Sequence, residues 1–127
     1  MNLSLIQKRI LDLGKGRVKF IVLFGSHSTG KATPLSDLDL AVYYRGTAQE
    51  RFKFKIKALG ELPGKIDLQV FQDLPLTVQK EIINGKVLYY ENYNLIFEEF
   101  MKVIRDYNSF EKYYLEYINN LKKEVEA

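Results

Sequence analysis

The sequence predicts an α/β fold in which a small sheet is flanked by helices and followed by a helical tail. Three observations carry this. Strand-like runs at 18–24, 38–44 and 66–71 alternate with helical segments, and helices between strands imply helices packed on a sheet. The chain has 127 residues, 46% apolar and 28% charged, the balance of one globular domain. Most of 93–125 carries apolar residues at helical spacing. Strand order is not readable from this pattern.

The elements follow in order. Ser4-Leu5-Ile6-Gln7 has the form of a capping box, so a first helix is expected from about Ser4, with Ile6, Ile10 and Leu13 on one face and Gly14-Lys15-Gly16 at its end. Val18 to Phe24 is an apolar, β-branched and aromatic run, which suits a strand covered on both faces. Gly25-Ser26 breaks it, and a short helix or loop passes through Thr29-Gly30 and Pro34. Leu38 to Tyr44 is a second strand, turned by Arg45-Gly46. Thr47-Ala48-Gln49-Glu50 is a second capping box, opening a helix with Phe52, Ile56 and Leu59 on one face. Leu62-Pro63-Gly64 ends that helix, and Ile66 to Phe71 forms a third strand alternating Ile66, Leu68 and Val70 against Asp67, Gln69 and Phe71. Asp73 with Pro75 starts another helix, closed by Gly85, and Val87 to Tyr90 reads as an edge strand.

Composition removes several function classes. There is no cysteine, which excludes disulfides, zinc-thiolate sites and cysteine nucleophiles. His27 is the one histidine, so no multi-histidine metal site exists and a serine-hydrolase triad lacks support. No apolar run approaches bilayer length and the N-terminus lacks a signal-peptide pattern, so the expectation is a cytoplasmic protein without membrane contact. Net charge is +3, but residues 1–90 carry 14 basic and 8 acidic side chains while 91–127 carry 5 and 8. A basic body suits a phosphate-bearing ligand and an acidic tail a basic protein partner, although solvated surface charge would explain either half alone. No basic stripe with interleaved aromatics points to direct nucleic-acid binding.

The informative constellation is Gly25-Ser26, ten residues, then Asp37-Leu38-Asp39. Asp37 and Asp39 are two apart at a strand start, so both project from one sheet face. Adjacent carboxylates repel unless a cation lies between them, and hard oxygen ligands favour Mg²⁺ or Mn²⁺. If the third strand neighbours the second, Asp67 joins them, and three carboxylates can hold two metals. Asp67 would then be the base, or the positioner of the attacking hydroxyl. Glycine directly after a strand admits phosphate close to the backbone, and Ser26 offers a hydroxyl and an amide. Lys31 and Arg45 could add positive charge. Four fixed identities at this spacing arise by chance about once in a thousand chains of this length, so a turn glycine, a serine cap and two surface aspartates are the weaker reading. Gly30-Lys31-Ala32 lacks the hydroxyl of a P-loop.

These residues resemble the signature of the DNA polymerase β-type nucleotidyltransferases. The resemblance extends through Leu23–Val42, Ile66–Phe71 and Glu81–Tyr89 to the minimal nucleotidyltransferase (MNT) antitoxins of the MntA type, which pair with HEPN ribonuclease toxins. It implies a polymerase β-like fold with a small mixed sheet, a nucleotidyltransferase core at 1–91, and a helical extension at 92–127 packed on the core and available to a partner. It implies an enzyme that uses ATP and Mg²⁺ (two ions, with Mn²⁺ as a substitute) to adenylylate a tyrosine of the cognate HEPN toxin and so neutralise it, in a hetero-oligomer. By motif position Gly25 and Ser26 bind the triphosphate, Asp37 and Asp39 hold both metals, and Asp67 serves the metal near the attacking hydroxyl. The chain departs at His27, where such proteins often carry arginine.

The tail has its own content. Ile96, Phe100, Val103, Tyr107, Phe110, Tyr114, Tyr117 and Leu121 are spaced alternately four and three apart, a heptad-like seam. Its first turns suit packing on the chain's own domain. The later, tyrosine-rich turns carry more apolar surface than so small a body covers, which points to a partner groove. Asn108-Ser109 is a candidate break. Two other functions compete: a non-catalytic antitoxin that masks its toxin by binding, and a small-molecule nucleotidyltransferase of the antibiotic-modifying kind. Three converging acids disfavour the first, and the lack of a second, substrate-holding domain disfavours the other.

Overall fold

Asn2 rather than Ser4 caps the first helix: its Oδ1 accepts from the Ser4 and Leu5 amides at 3.0 and 3.3 Å. Asparagine at this position satisfies amides that the helix itself leaves unpaired, so α1 runs Leu3–Gly14. The computed structural model describes residues 2–33 and 37–126; the expected passage through Pro34 falls outside them. The remaining elements are β1 (Val18–Phe24), a single turn α2 (Ser26–Thr29), β2 (Leu38–Tyr44), α3 (Ala48–Glu61), β3 (Ile66–Val70), α4 (Leu76–Ile83), β4 (Lys86–Tyr90) and α5 (Tyr93–Glu126).

The strands form one mixed sheet in the order β3-β2-β1-β4. β1 lies antiparallel to both β2 and β4, whereas β2 and β3 are parallel. A parallel pair requires a crossover, and α3 supplies it. The Thr47 capping box expected from sequence is present, Thr47 Oγ1 accepting from the Glu50 amide at 3.2 Å and Glu50 Oε1 from the Thr47 amide at 3.0 Å. The Leu38 amide donates to the Lys65 carbonyl at 2.7 Å, fixing where β3 starts against β2. β4 is an edge, as expected, and β3 is the other.

Period-two alternation sorts the strand side chains into two cores. Leu38, Leu40, Val42, Ile66, Leu68 and Val70 face α1 and α3. Phe20, Val22, Phe24 and Ala41 face α4 and α5, with Phe71, Ile82, Ile96 and Val103. Phe20 anchors this second core through edge-to-face contacts with Phe71 and Phe100 at centroid distances of 5.3 and 5.6 Å. The aspartates of β2 and β3 belong by alternation to this second face.

Four further sequence expectations need correction. The α3 face is rotated: Phe54 and Ala58 are buried, while Phe52, Ile56 and Leu59 are exposed. Two apolar stripes exist on that helix, and the one that can stack Phe54 on Tyr44, at 4.4 Å, faces the sheet. β3 ends at Val70, and Phe71 enters a 3₁₀ turn that keeps its ring in the second core. Asp73 does not open α4; Pro75 caps it, while Asp73 receives a two-pronged guanidinium contact from Arg51 at 2.7–3.0 Å. Asn108-Ser109 does not break α5, which is continuous for 34 residues, about 51 Å at helical rise. Neither residue removes a backbone donor, so propagation through the pair is cheap.

Only the first half of α5 is packed. Ile96 and Val103 are buried, and Lys80 lies 5.4 Å over the Tyr107 ring. From 108 to 126 every residue is exposed. No described helix is long and apolar enough to cross a membrane.

Candidate active site

The site is built by strand register. Parallel pairing places Asp39 directly beside Asp67, and antiparallel pairing places Asp39 beside Phe24. Gly25, the next residue, therefore lies against the same carboxylate. Its φ of +74° and ψ of −151° belong to a region that side chains avoid, and an added Cβ would collide with Asp39 Oδ2. Glycine is thus required twice over, by conformation and by close approach.

Beyond Gly25 the chain closes the single turn α2. The Gly25 carbonyl accepts from the Ser28 hydroxyl at 2.8 Å and the Ser28 amide at 3.2 Å. The Ser26 carbonyl accepts from the Lys31 amide at 3.0 Å. These bonds hold a tight bend whose half-buried Ser26 sits at the carboxylate end of the sheet.

The electrostatics are those of crowded anions. Burial pushes the Asp39 carboxyl above its ordinary range, and the charges of Asp67, Asp37 and Glu81 push it the same way, with His27 opposing. Asp37 precedes β2 and is exposed, whereas Asp39 and Asp67 are half-buried. The structure thus brings Gly25, Asp39 and Asp67 together and places Asp37 within electrostatic reach. The described residues contain no cluster of three His, Cys, Asp or Glu at metal-holding spacing. Asp67 Oδ1 instead accepts from Gln69 Nε2 at 3.0 Å.

Arg45 does not belong to the site. It follows the opposite end of β2, roughly 20 Å from Asp39 by strand rise, where its amide bonds the Arg17 carbonyl at 2.8 Å. Lys31 is exposed just after α2. Sequence reasoning missed Glu81 and Gln69. Glu81 carried no local signal, since only the packing of α4 beside β1 brings its charge within reach of Asp39. Gln69 did carry one: it shares Asp67's face two residues later.

Several known proteins are similar to this chain. The family described as polymerase beta, nucleotidyltransferase, matches residues 8–94, which span the whole sheet and all five site positions. A relative from Methanocaldococcus jannaschii, provisionally described as a protein adenylyltransferase, is 34% identical over 89 residues, covering 68% of this chain and 69% of its own. A chain from a toxin–antitoxin crystal structure with AMP-PNP superposes with a TM-score of 0.74 at 20% identity, over 94% of this chain and 98% of that one. A chain from the complex of tri-AMPylated Shewanella oneidensis HEPN toxin with MNT antitoxin superposes with a TM-score of 0.63 at 21% identity, over 93% and 97%. With Gly25 bent against Asp39 and Asp39 paired to Asp67, the chain belongs to the polymerase beta nucleotidyltransferase family and is a nucleotidyltransferase.

Proposed function

We propose that this chain is an antitoxin that transfers AMP from ATP, with Mg²⁺ or Mn²⁺, to a tyrosine of a HEPN ribonuclease toxin. The observation that carries the reading is the adjacency of Asp39 and Asp67 on one sheet face, with Gly25 folded against Asp39. Three features of this chain support a divalent metal there: hard oxygen donors, mutual repulsion among them, and a carboxyl held above its usual range first by burial and then by that repulsion. Asp37 and Asp39 would hold both ions and Asp67 the one beside the acceptor. Held by these carboxylates, a divalent pair would supply activation of the attacking oxygen and neutralisation of the departing pyrophosphate.

The residues divide the remaining work. Gly25 and Ser26 present backbone and hydroxyl to the triphosphate. The acceptor phenol oxygen forms a bond to the α-phosphorus, the bond from that phosphorus to the α,β-bridging oxygen breaks, and pyrophosphate leaves. Asp67, on the edge strand, would receive the phenolic proton or hold the hydroxyl in line. An edge position leaves that side open to a protein acceptor.

Support for a toxin partner comes from the relatives, which include an MNT antitoxin complexed with a HEPN toxin, and from α5. The apolar seam that packs Ile96 and Val103 inside continues as Phe110, Tyr114, Tyr117 and Leu121, all exposed. A seam continuous with the chain's own packing, but uncovered, suits docking of the toxin. The structures with which this chain shares its fold are matched over nearly its full length, tail included.

The test is incubation of the chain with labelled ATP, Mg²⁺ and the candidate HEPN protein, beside an Asp37→Ala/Asp39→Ala variant. Label and added mass on the toxin with wild type, absent with the variant, is the expected result. Toxin that binds and is inhibited but never labelled, under any nucleotide or metal, would replace this reading with the masking antitoxin. Label on small molecules alone would replace it with the antibiotic-modifying kind.

A further inference from the structure

Asp67 is not held by its own strand alone. Gln69 follows it on the same face of β3 and donates from Nε2 to Asp67 Oδ1 at 3.0 Å. Gln69 Oε1 in turn accepts from Lys55 Nζ at 2.8 Å. All three side chains are half-buried. Lys55 belongs to α3, whose buried residues pack on the opposite sheet face. Its side chain therefore passes round the free edge of β3 to reach the carboxylate side.

The chemistry of the three groups allows one arrangement. An ammonium only donates and a carboxylate only accepts, so the amide between them must turn its oxygen to Lys55 and its nitrogen to Asp67. Either terminal group alone would choose that same orientation, and the two together anchor the amide at both ends. With one oxygen engaged by Gln69, Asp67 keeps the other for the site, and its rotation about the Cβ–Cγ bond is fixed. Outer partners of this kind orient ligating carboxylates in metal sites generally.

We propose that Lys55 and Gln69 form a positioning relay that sets the orientation of Asp67, and with it the acceptor side of the reaction. The assignment rests on the transferase reading of Asp67 given above. Nucleotide is gripped by Gly25, Ser26, Asp37 and Asp39 on the other side, so the relay acts on turnover and not on nucleotide affinity.

The test uses the full chain carrying Gln69→Leu, Lys55→Met or Lys55→Arg. Three quantities are read: kcat against KM for ATP in toxin labelling, thermal stability, and Mn²⁺ affinity followed by electron paramagnetic resonance in the presence of a non-hydrolysable ATP analogue. Gln69→Leu and Lys55→Met should each lower kcat and weaken Mn²⁺ binding about tenfold or more, with KM for ATP and Tm close to wild type. Lys55→Arg keeps a donor for Gln69 Oε1 and should restore both. Wild-type kcat and Mn²⁺ affinity in Gln69→Leu overturns the relay. So does Lys55→Arg behaving like Lys55→Met, or a loss of kcat that merely tracks a lower Tm. Absence of any labelling by wild type would sink the transferase reading instead, while the Mn²⁺ titration still decides the relay.

Discussion

The carboxylate end of the sheet and the outer half of α5 are surfaces of opposite kinds. At the first, Asp39, Gly25 and Asp67 are each constrained more than once. Asp39 is fixed by pairing to Phe24 on one side and Asp67 on the other, Gly25 by a positive φ and a close approach, and Asp67 by its strand and by Gln69. The second is a free helix. From 108 to 126 no residue is buried, and Tyr113 and Tyr117 are 69% and 60% exposed. Chemistry on a triphosphate needs groups placed to a fraction of an ångström, so that end is tied down by register. Binding a macromolecule needs area, and the helix provides area at little cost to the chain's own packing. One region is finished by folding; the other, on the proposed reading, is finished by association.

Substitutions should separate the two regions cleanly. The largest effect is expected at the carboxylates: Asp39→Ala should lower AMP transfer by about 10³-fold or more while toxin binding, read by calorimetry, stays intact. Gly25→Ala should follow, because a Cβ there must displace Asp39. Transfer should drop about 100-fold and stability by about 1–3 kcal/mol, read from labelling rates and denaturant midpoints. The reverse pattern belongs to α5. Tyr117→Ala should weaken toxin association by about 2 kcal/mol and leave unfolding within about 0.5 kcal/mol, and truncation after Tyr107 should abolish association without unfolding the sheet. Lost transfer to a free peptide acceptor in that truncation would break the comparison, since it would make the tail part of the catalytic body.

The smallest effects are in pH dependence, and they have opposite signs. Asp39 is raised above its ordinary value, first by burial and then by Asp67 and Asp37. The folded chain binds that proton more tightly than the unfolded one, so stability measured in chelator should fall as pH rises from the ordinary aspartate range through the raised value. Asp39→Asn should flatten that slope. Glu50 is lowered by the Thr47 amide and by Arg17. Its contribution is present above the ordinary glutamate value and disappears as pH falls through the lowered one, a change that Glu50→Gln removes.

The sequence alone determined the element order, the capping box at Thr47, the strand that carries Asp39 and the seam of α5, because periodicity and capping are local properties of the chain. It also carried Gly25, Ser26, Asp37 and Asp39, which lie close enough in sequence for spacing to imply proximity. Tertiary structure alone decided the rest. Asp67 could join Asp39 only if β3 paired beside β2, and strand order depends on which apolar faces are buried together. The choice of Phe54 over Phe52 as the buried side of α3 was likewise made by the sheet, since both stripes satisfy helical spacing and only one meets Tyr44. Asn108-Ser109 stayed helical because weak local preference yields to a helix already propagating through it. The bond from Lys55 round the edge of β3 to Gln69 joins residues 14 apart on different elements, and no pattern of residue types along a chain records where an edge will be.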